Sequence, residues 1–227
     1  MKRLVQAELL DALPPEDPRA IRSRRDLHRI NWWMRNHVIM ARALEKNLPA
    51  APKAIIELGA GDGNFLLRVA QRVGPRWPAV QATLLDLQEN VSPQTLAAFA
   101  ESGWHAQPVV ADVFDWSPAS AEPVVIANLF LHHFEDGSLS ALLRKISQNT
   151  SRFVAVEPHR FTRPSLIGQA LRLIGCNAVT RHDAAASICA GFDGEELSAL
   201  WPDKDNWRLT ECRAGLFSHL FIACRRE

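Results

Sequence analysis

Four polar residues stand where apolar runs end: Glu57, Asp86, Asp112 and Asn128. Three glycines at alternate positions, Gly59, Gly61 and Gly63, follow the first of them. A carboxylate at a strand end can accept both hydroxyls of a ribose or neutralise an ammonium. A glycine turn lets backbone approach a ligand with no Cβ in the way. A helix starting just beyond it leaves N–H groups pointing over the turn, where they suit an anionic group. The stretch Ile55–Leu67 therefore reads as strand, tight turn and helix start, a cradle for a small charged ligand. Histidines supply the second kind of chemistry. His132 and His133 follow the fourth apolar run, and an imidazole titrating near neutrality is suited to take a hydroxyl proton. The sequence does not separate them, and either would serve equally well as a loop hydrogen-bonder. His182 lies in Arg181-His182-Asp183, where a carboxylate could orient the ring, although such triplets are often surface charge clusters. His159 follows the fifth run. Trp32, Trp33 and Arg35 belong to a stretch, Asn31–His37, that is denser in aromatic and hydrogen-bonding groups than a solvated face requires. These residues are expected to line a substrate pocket; anchoring of the helix on the core is the plainer reading.

Strands and helices must alternate to position these groups. Apolar runs predict strands over 54–58, 81–87, 109–113, 124–130 and 153–156. Between them, helices are expected over 65–73, from the Ser92-Pro93 start to Gly103, and from Asp136 along the stripe Leu139, Leu142, Leu143 and Ile146. Such alternation implies a parallel sheet covered on both faces, with ligands at the carboxyl ends of its strands. Residues 1–18 read as an arm and a proline-rich turn. Residues 19–48 read as one helical stretch carrying Arg22, Arg24, Arg25, Arg29, Arg35 and Arg42. Pro49-Ala50-Ala51-Pro52 breaks it. The expected organisation is an arm and helical cap over 1–48 and a ligand-binding domain over 49–227. Within that domain, 161–190 is an insertion placed to cover the sheet, with helices over 164–174 and 181–190. A short helix over 194–200 and a hairpin of strands 207–213 and 216–224 close the chain.

Composition narrows the class. With 47% hydrophobic and 22% charged residues the chain can build a large core. A net charge of +1 gives no general pull toward nucleic acid or anionic membrane. The cysteines, Cys176, Cys189, Cys212 and Cys224, form no C-x-x-C pair and no metal spacing, so free thiols and no metal are expected. No apolar leader and no bilayer-spanning run is seen, and a cytoplasmic protein is the expectation. A homodimer is left open.

The glycine spacing discriminates among cofactors. A dinucleotide site wants G-x-G-x-x-G, but Asn64 occupies the third position; a P-loop needs Gly-Lys-Ser/Thr, which is absent. Glu57-x-Gly59-x-Gly61-x-Gly63 instead resembles motif I of class I S-adenosylmethionine-dependent methyltransferases, and the resemblance covers roughly residues 50–225. It implies a doubly wound α/β, Rossmann-like fold with a seven-stranded sheet and a C-terminal antiparallel hairpin. It implies S-adenosyl-L-methionine held by Glu57, Gly59, Ala60, Gly61 and Gly63, with Asp86 and Leu87 at the ribose, Asp112 and Val113 at the adenine, and Asn128 at the end of strand four. Asn128-Leu129-Phe130-Leu131-His132-His133-Phe134 lacks the prolines of amino-methylating nucleic-acid enzymes, which argues against DNA. It is similar to bacterial methyltransferases of phenolic, polyketide and quinone-type small molecules. O-methylation of such a metabolite is the expected activity, with His132, His133 or His182 as base. An RNA or protein methyltransferase, drawing on the arginines of 19–42, and a non-catalytic cofactor-binding subunit are the alternatives.

Overall fold

The computed structural model describes residues 2–10, 12–14, 16–118, 123–161 and 171–226. Its chain order is α1 (Pro18–Met34), α2 (Asn36–Asn47), β1 (Ala54–Leu58), α3 (Asn64–Val73), β2 (Gln81–Asp86), α4 (Pro93–Glu101), β3 (His105–Val110) and β4 (Val124–Asn128). A 3-10 turn (Leu131–His133) leads into α5 (Asp136–Asn149) and β5 (Arg152–Pro158). The order ends with α6 (Ala178–Ala190), α7 (Glu196–Leu200), a second 3-10 turn (Lys204–Asn206), β6 (Trp207–Ala214) and β7 (Ser218–Arg225). The strands form one seven-stranded sheet in the order β3-β2-β1-β4-β5-β7-β6. β1 to β5 run parallel, and β7 pairs antiparallel with both β5 and β6. The strand order reverses between β1 and β4, and the crevice above that switch is where such sheets bind ligands.

Period-two alternation divides the core. Ile55 faces a cluster with Met40, Leu44, Leu66, Val69, Phe99 and Trp104, whereas Ile56 faces one with Leu139, Leu142, Leu143, Phe153 and Trp201. Both faces are covered, so the central strands are apolar throughout until their carboxyl ends. There the register sets Leu58 beside Leu85 and Ala127, and Asn128 beside Val156.

Three expectations shift. Strand three covers 105–110, not 109–113: it is the sheet edge, so its polar alternation and Pro108 are tolerated, and a search for apolar runs passes it over. Residues 19–48 form two helices, because Arg35 adopts φ 55° and ψ 30° and breaks the chain direction. The second helix, α2, packs on α3, β5 and β7 and contributes Met40 and Leu44 to the core. The cap is thus α1 and the arm. Asp136 opens α5 as its first residue, with Glu135 before it at the cap position. Most of the helix expected over 164–174 lies outside the described residues. The four cysteines are free. Among the described residues no helix is long and apolar enough to cross a membrane.

Candidate active site

Two cavities lie above the strand ends and meet at Asn31 and Leu129, which line both. The smaller, about 240 Å³, is polar and is lined by Glu57, Gly59, Ala60, Gly61, Asp62, Asn64, Arg68, Asn128 and neighbours. The larger, about 390 Å³, has apolar walls that include Leu27, Ile30, Trp33, Met34, Ile174 and Phe217. Glu8, His132, His133 and Ser187 are its polar edge.

The polar cavity is the work of the glycine turn. Gly59 has φ 67°, and a Cβ there would sit 2.2 Å from the Phe130 ring, so no other residue fits without displacing the turn. Gly61, at φ 55°, has nothing within 4 Å of where a Cβ would lie. Its N–H donates to the Asp86 carboxylate at 2.8 Å, while the other Asp86 oxygen accepts from the Gln88 N–H at 3.0 Å. Asp86 therefore ties the loop to the end of β2, and it stands behind Gly61 outside the cavity lining itself. Glu57 is 2% exposed, and one carboxylate oxygen, Oε2, is buried without a partner. Burial first, then the charges of Asp62 and Asp86, push its pKa well above the ordinary carboxylate range. An unsatisfied buried carboxylate lining a cavity lacks a cation. Arg68 lines the same cavity and brings a positive charge to it. A zwitterionic amino-acid group meets both needs, so these residues fit the methionine end of S-adenosylmethionine.

Asn128 is fixed from the far side. Its Oδ1 accepts from Asn36 Nδ2 at 2.9 Å, and Asn36 Oδ1 accepts from the Ser218 hydroxyl at 2.6 Å. This chain links α2, β4 and β7 behind the cavity. Leu87 is exposed and outside the cavity lining. Asp112 accepts from the Phe114 N–H at 2.8 Å in a turn beyond β3, and Val113 is buried in the core cluster beside Leu58 and Leu85. Neither lines the cavity.

The histidine pair belongs to the polar edge of the larger cavity. Glu157, fully buried at the end of β5, accepts the Phe130 N–H at 3.1 Å and the Leu131 N–H at 2.9 Å through one oxygen. Its other oxygen accepts His132 Nδ1–H at 2.9 Å. The carboxylate thus shapes the 3-10 turn and sets the tautomer of His132, leaving Nε2 as the ring nitrogen it does not hold. The His133 ring lies 4.2 Å from that of His132. One edge of His133 is exposed to solvent, yet partial desolvation of the ring, and then the neighbouring His132, lower its pKa to about 4. It is neutral at physiological pH and shapes the pocket instead of holding charge. Leu129 adopts φ 51°, a strained backbone conformation at the junction of the two cavities.

The other expected pocket residues divide. Trp33 lines the larger cavity, while Trp32 is 59% exposed and outside its lining. Arg35 is the kink between α1 and α2, not a pocket residue. His159 lies behind Pro158, its ring parallel to that of His219, and is absent from the lining. His182 is half-exposed and outside the lining, and its partner Asp183 holds the N-terminal arm. Sequence reading missed Glu157, Glu8, Asn36 and Arg68. Glu157 carried a signal, since it closes an apolar strand as Glu57 and Asp86 do. Glu8 carried none. It comes from the arm, and one ligand-type atom each from Glu8, His132 and His133 lie within 4.8 Å of one another. The expectation of no metal rested on cysteine spacing and does not bear on this grouping.

The glycine turn, the strand-end carboxylates and the strand order of the mixed sheet are together the arrangement expected of a class I S-adenosylmethionine-dependent methyltransferase, and the comparisons with known proteins point the same way. More particularly, residues 55–151 match the family model described as a methyltransferase domain. A trans-aconitate 2-methyltransferase of Mycolicibacterium gilvum (strain PYR-GCK) is 35% identical over 81 residues. That match spans 36% of this chain and 28% of the relative's length. Among solved structures, the plantazolicin methyltransferase BpumL in complex with SAH is similar at TM-score 0.67 and 13% identity, over 93% of this chain and 92% of that one. A putative O-methyltransferase from Nostoc punctiforme PCC 73102 gives 0.62 at 14% identity, over 98% and 64%. The mitomycin 7-O-methyltransferase MmcR gives 0.56 at 18%, over 96% and 60%.

Proposed function

We propose that the protein transfers a methyl group from S-adenosylmethionine to a hydroxyl oxygen of a small, largely apolar acceptor of phenolic type, with His132 as general base. One observation carries this reading: a buried carboxylate holds Nδ1 of His132 at 2.9 Å in a ring that lines an apolar cavity, and that cavity adjoins the polar one at Asn31 and Leu129. The cofactor supplies an activated methyl on a sulfonium. Glu57 would neutralise its ammonium, Arg68 would meet its carboxylate, and the glycine turn with Asp86 would hold its sugar. Across the Leu129 junction the acceptor hydroxyl gives its proton to Nε2 of His132. With that proton on His132, the methyl group would pass to the acceptor oxygen and the cofactor would leave as its demethylated thioether. Glu157 stabilises the imidazolium that results and keeps the ring from turning. The apolar walls exclude water and hold the two reactants in line, which is where such a catalyst gains most of its rate. Relatives whose names include O-methyltransferase activity support the choice of oxygen. An apolar cavity of about 390 Å³ favours a small acceptor over RNA or a protein surface.

The test is incubation of the purified protein with S-adenosylmethionine and a set of hydroxylated aromatic compounds, reading demethylated cofactor and the methyl ether by mass. Turnover with at least one phenol is expected. Cofactor binding without turnover on any hydroxylated acceptor overturns the reading.

A further inference from the structure

The acceptor cavity contains an acidic group that the methyl-transfer step does not use. Glu8 lies in the N-terminal arm, 124 positions before His132 (132 − 8 = 124), yet its carboxylate reaches the polar edge beside the histidine pair. It is held there deliberately. Asp183, buried on α6, accepts the Leu9 N–H at 2.8 Å and the Leu10 N–H at 3.1 Å. The Leu4 N–H donates to the Cys189 carbonyl at 3.0 Å. Arg3 donates to the Ala190 carbonyl at 3.1 Å and lies over the Phe192 ring at 4.7 Å. The Ser187 hydroxyl then donates to one Glu8 oxygen at 2.6 Å. Backbone stitches on both sides of Glu8 and a serine on the carboxylate itself fix the group at the end of an otherwise apolar space.

We infer that Glu8 is the specificity-determining residue of this cavity, and that the acceptor it selects carries a second hydroxyl besides the one that is methylated. This rests on the O-methylation reading above. A carboxylate only accepts, so it rewards a neutral donor and penalises an apolar edge left against it. It also repels an oxyanion. The oxygen that keeps its proton is therefore placed at Glu8, and the oxygen that loses its proton at His132. Ser187 positions the carboxylate. The leucine, isoleucine and tryptophan walls hold the carbon skeleton. The two stations thus choose both the substrate class, a dihydroxylated aromatic with an apolar body, and which of its oxygens reacts.

The experiment compares two alkyl-substituted aromatic acceptors that differ only in the presence of a second ring hydroxyl, with the full chain and S-adenosylmethionine. In the wild type, kcat/KM favours the dihydroxy compound by about tenfold or more, the scale of one hydrogen bond to a charged group. Glu8→Gln collapses that ratio, mainly through KM, and Ser187→Ala reduces it in part. A purely structural role for the arm lowers both acceptors together and leaves the ratio in place, which overturns the inference. So does a wild type without preference. Turnover abolished by a chelator, with zinc binding that Glu8→Gln removes, also overturns it, because the three groups then serve a cation. If neither compound is methylated, the O-methylation reading fails by itself. Calorimetric binding of the same two compounds then judges Glu8: tighter binding of the dihydroxy compound, lost in Glu8→Gln, supports the inference, and equal binding refutes it.

Discussion

The polar cavity proposed for the cofactor and the apolar cavity proposed for the acceptor share Asn31 and Leu129, but they are made from different kinds of structure. The first is built mainly on strand ends and the turn behind β1, from Glu57, Gly59, Gly61 and Asn128, and is polar. The second is walled by α1, α6, the arm and the segment ending in Ile174, and is apolar apart from one edge. The cofactor side is anchored in a buried sheet whose strands pack on both faces. The acceptor side rests on hydrogen bonds between distant segments, such as Leu9 and Leu10 to Asp183 and Asn177 to Asp26. One side is specified by local backbone geometry, the other by long-range assembly. A fold can therefore keep a methyl donor fixed while its cover is exchanged to suit a new acceptor.

That contrast can be broken from either side. The largest effect is expected on the acceptor side: His132→Gln lowers kcat by about 10²–10⁴, while calorimetric affinity for S-adenosylmethionine stays as it was. A parallel loss of cofactor affinity would show that the two cavities are not energetically separate. Glu157→Gln acts next. It weakens kcat by disturbing His132, and it lowers stability by about 1–3 kcal/mol because the same buried carboxylate holds the turn N–H groups. Denaturant titration and kinetics on one preparation check both. On the cofactor side, Gly59→Ala places a Cβ against Phe130 at a positive φ. A stability loss of about 1–3 kcal/mol is expected from overpacking, together with loss of cofactor binding.

The smallest effect concerns protons. Glu57 is a carboxyl whose folded pKa is raised by burial. Its contribution to stability is complete below the ordinary glutamate range and is lost as pH rises toward the raised value. The thermal midpoint of the cofactor-free protein should accordingly gain from Glu57→Gln toward the alkaline end of that window, and not below it. Cofactor binding brings an ammonium to Glu57 and favours its charged form, so binding releases a proton within the window. Calorimetric heats that vary with the ionisation enthalpy of the buffer would show this, and Glu57→Gln should abolish the variation along with most of the affinity.

Legibility followed the same division. Glu57, Gly59, Gly61 and Asn128 could be read because each sits beside the element that places it, within a few residues of a strand end. The edge strand could not, because half-exposed residues and Pro108 hide it among loop-like sequence. Glu157 was visible as a strand-end carboxylate, but its task depends on a turn 25 residues earlier folding over it. His132 and His133 are adjacent and identical in type, so only the direction of each ring in space tells the one held by Glu157 from its neighbour. Arg35 and His182 were misread for a related reason. Arg35 serves the kink between two helices and His182 turns outward, and neither fact is local.

The sequence alone determined the alternation of strands and helices, the class of the sheet and the glycine turn that lines the polar cavity, because period, glycine spacing and strand ends act over a dozen residues. Only the tertiary structure decided which imidazole Glu157 holds and that Glu8 stands beside the histidine pair. Those assignments depend on contacts between segments far apart in the chain, and no spacing rule encodes a distance that folding itself creates.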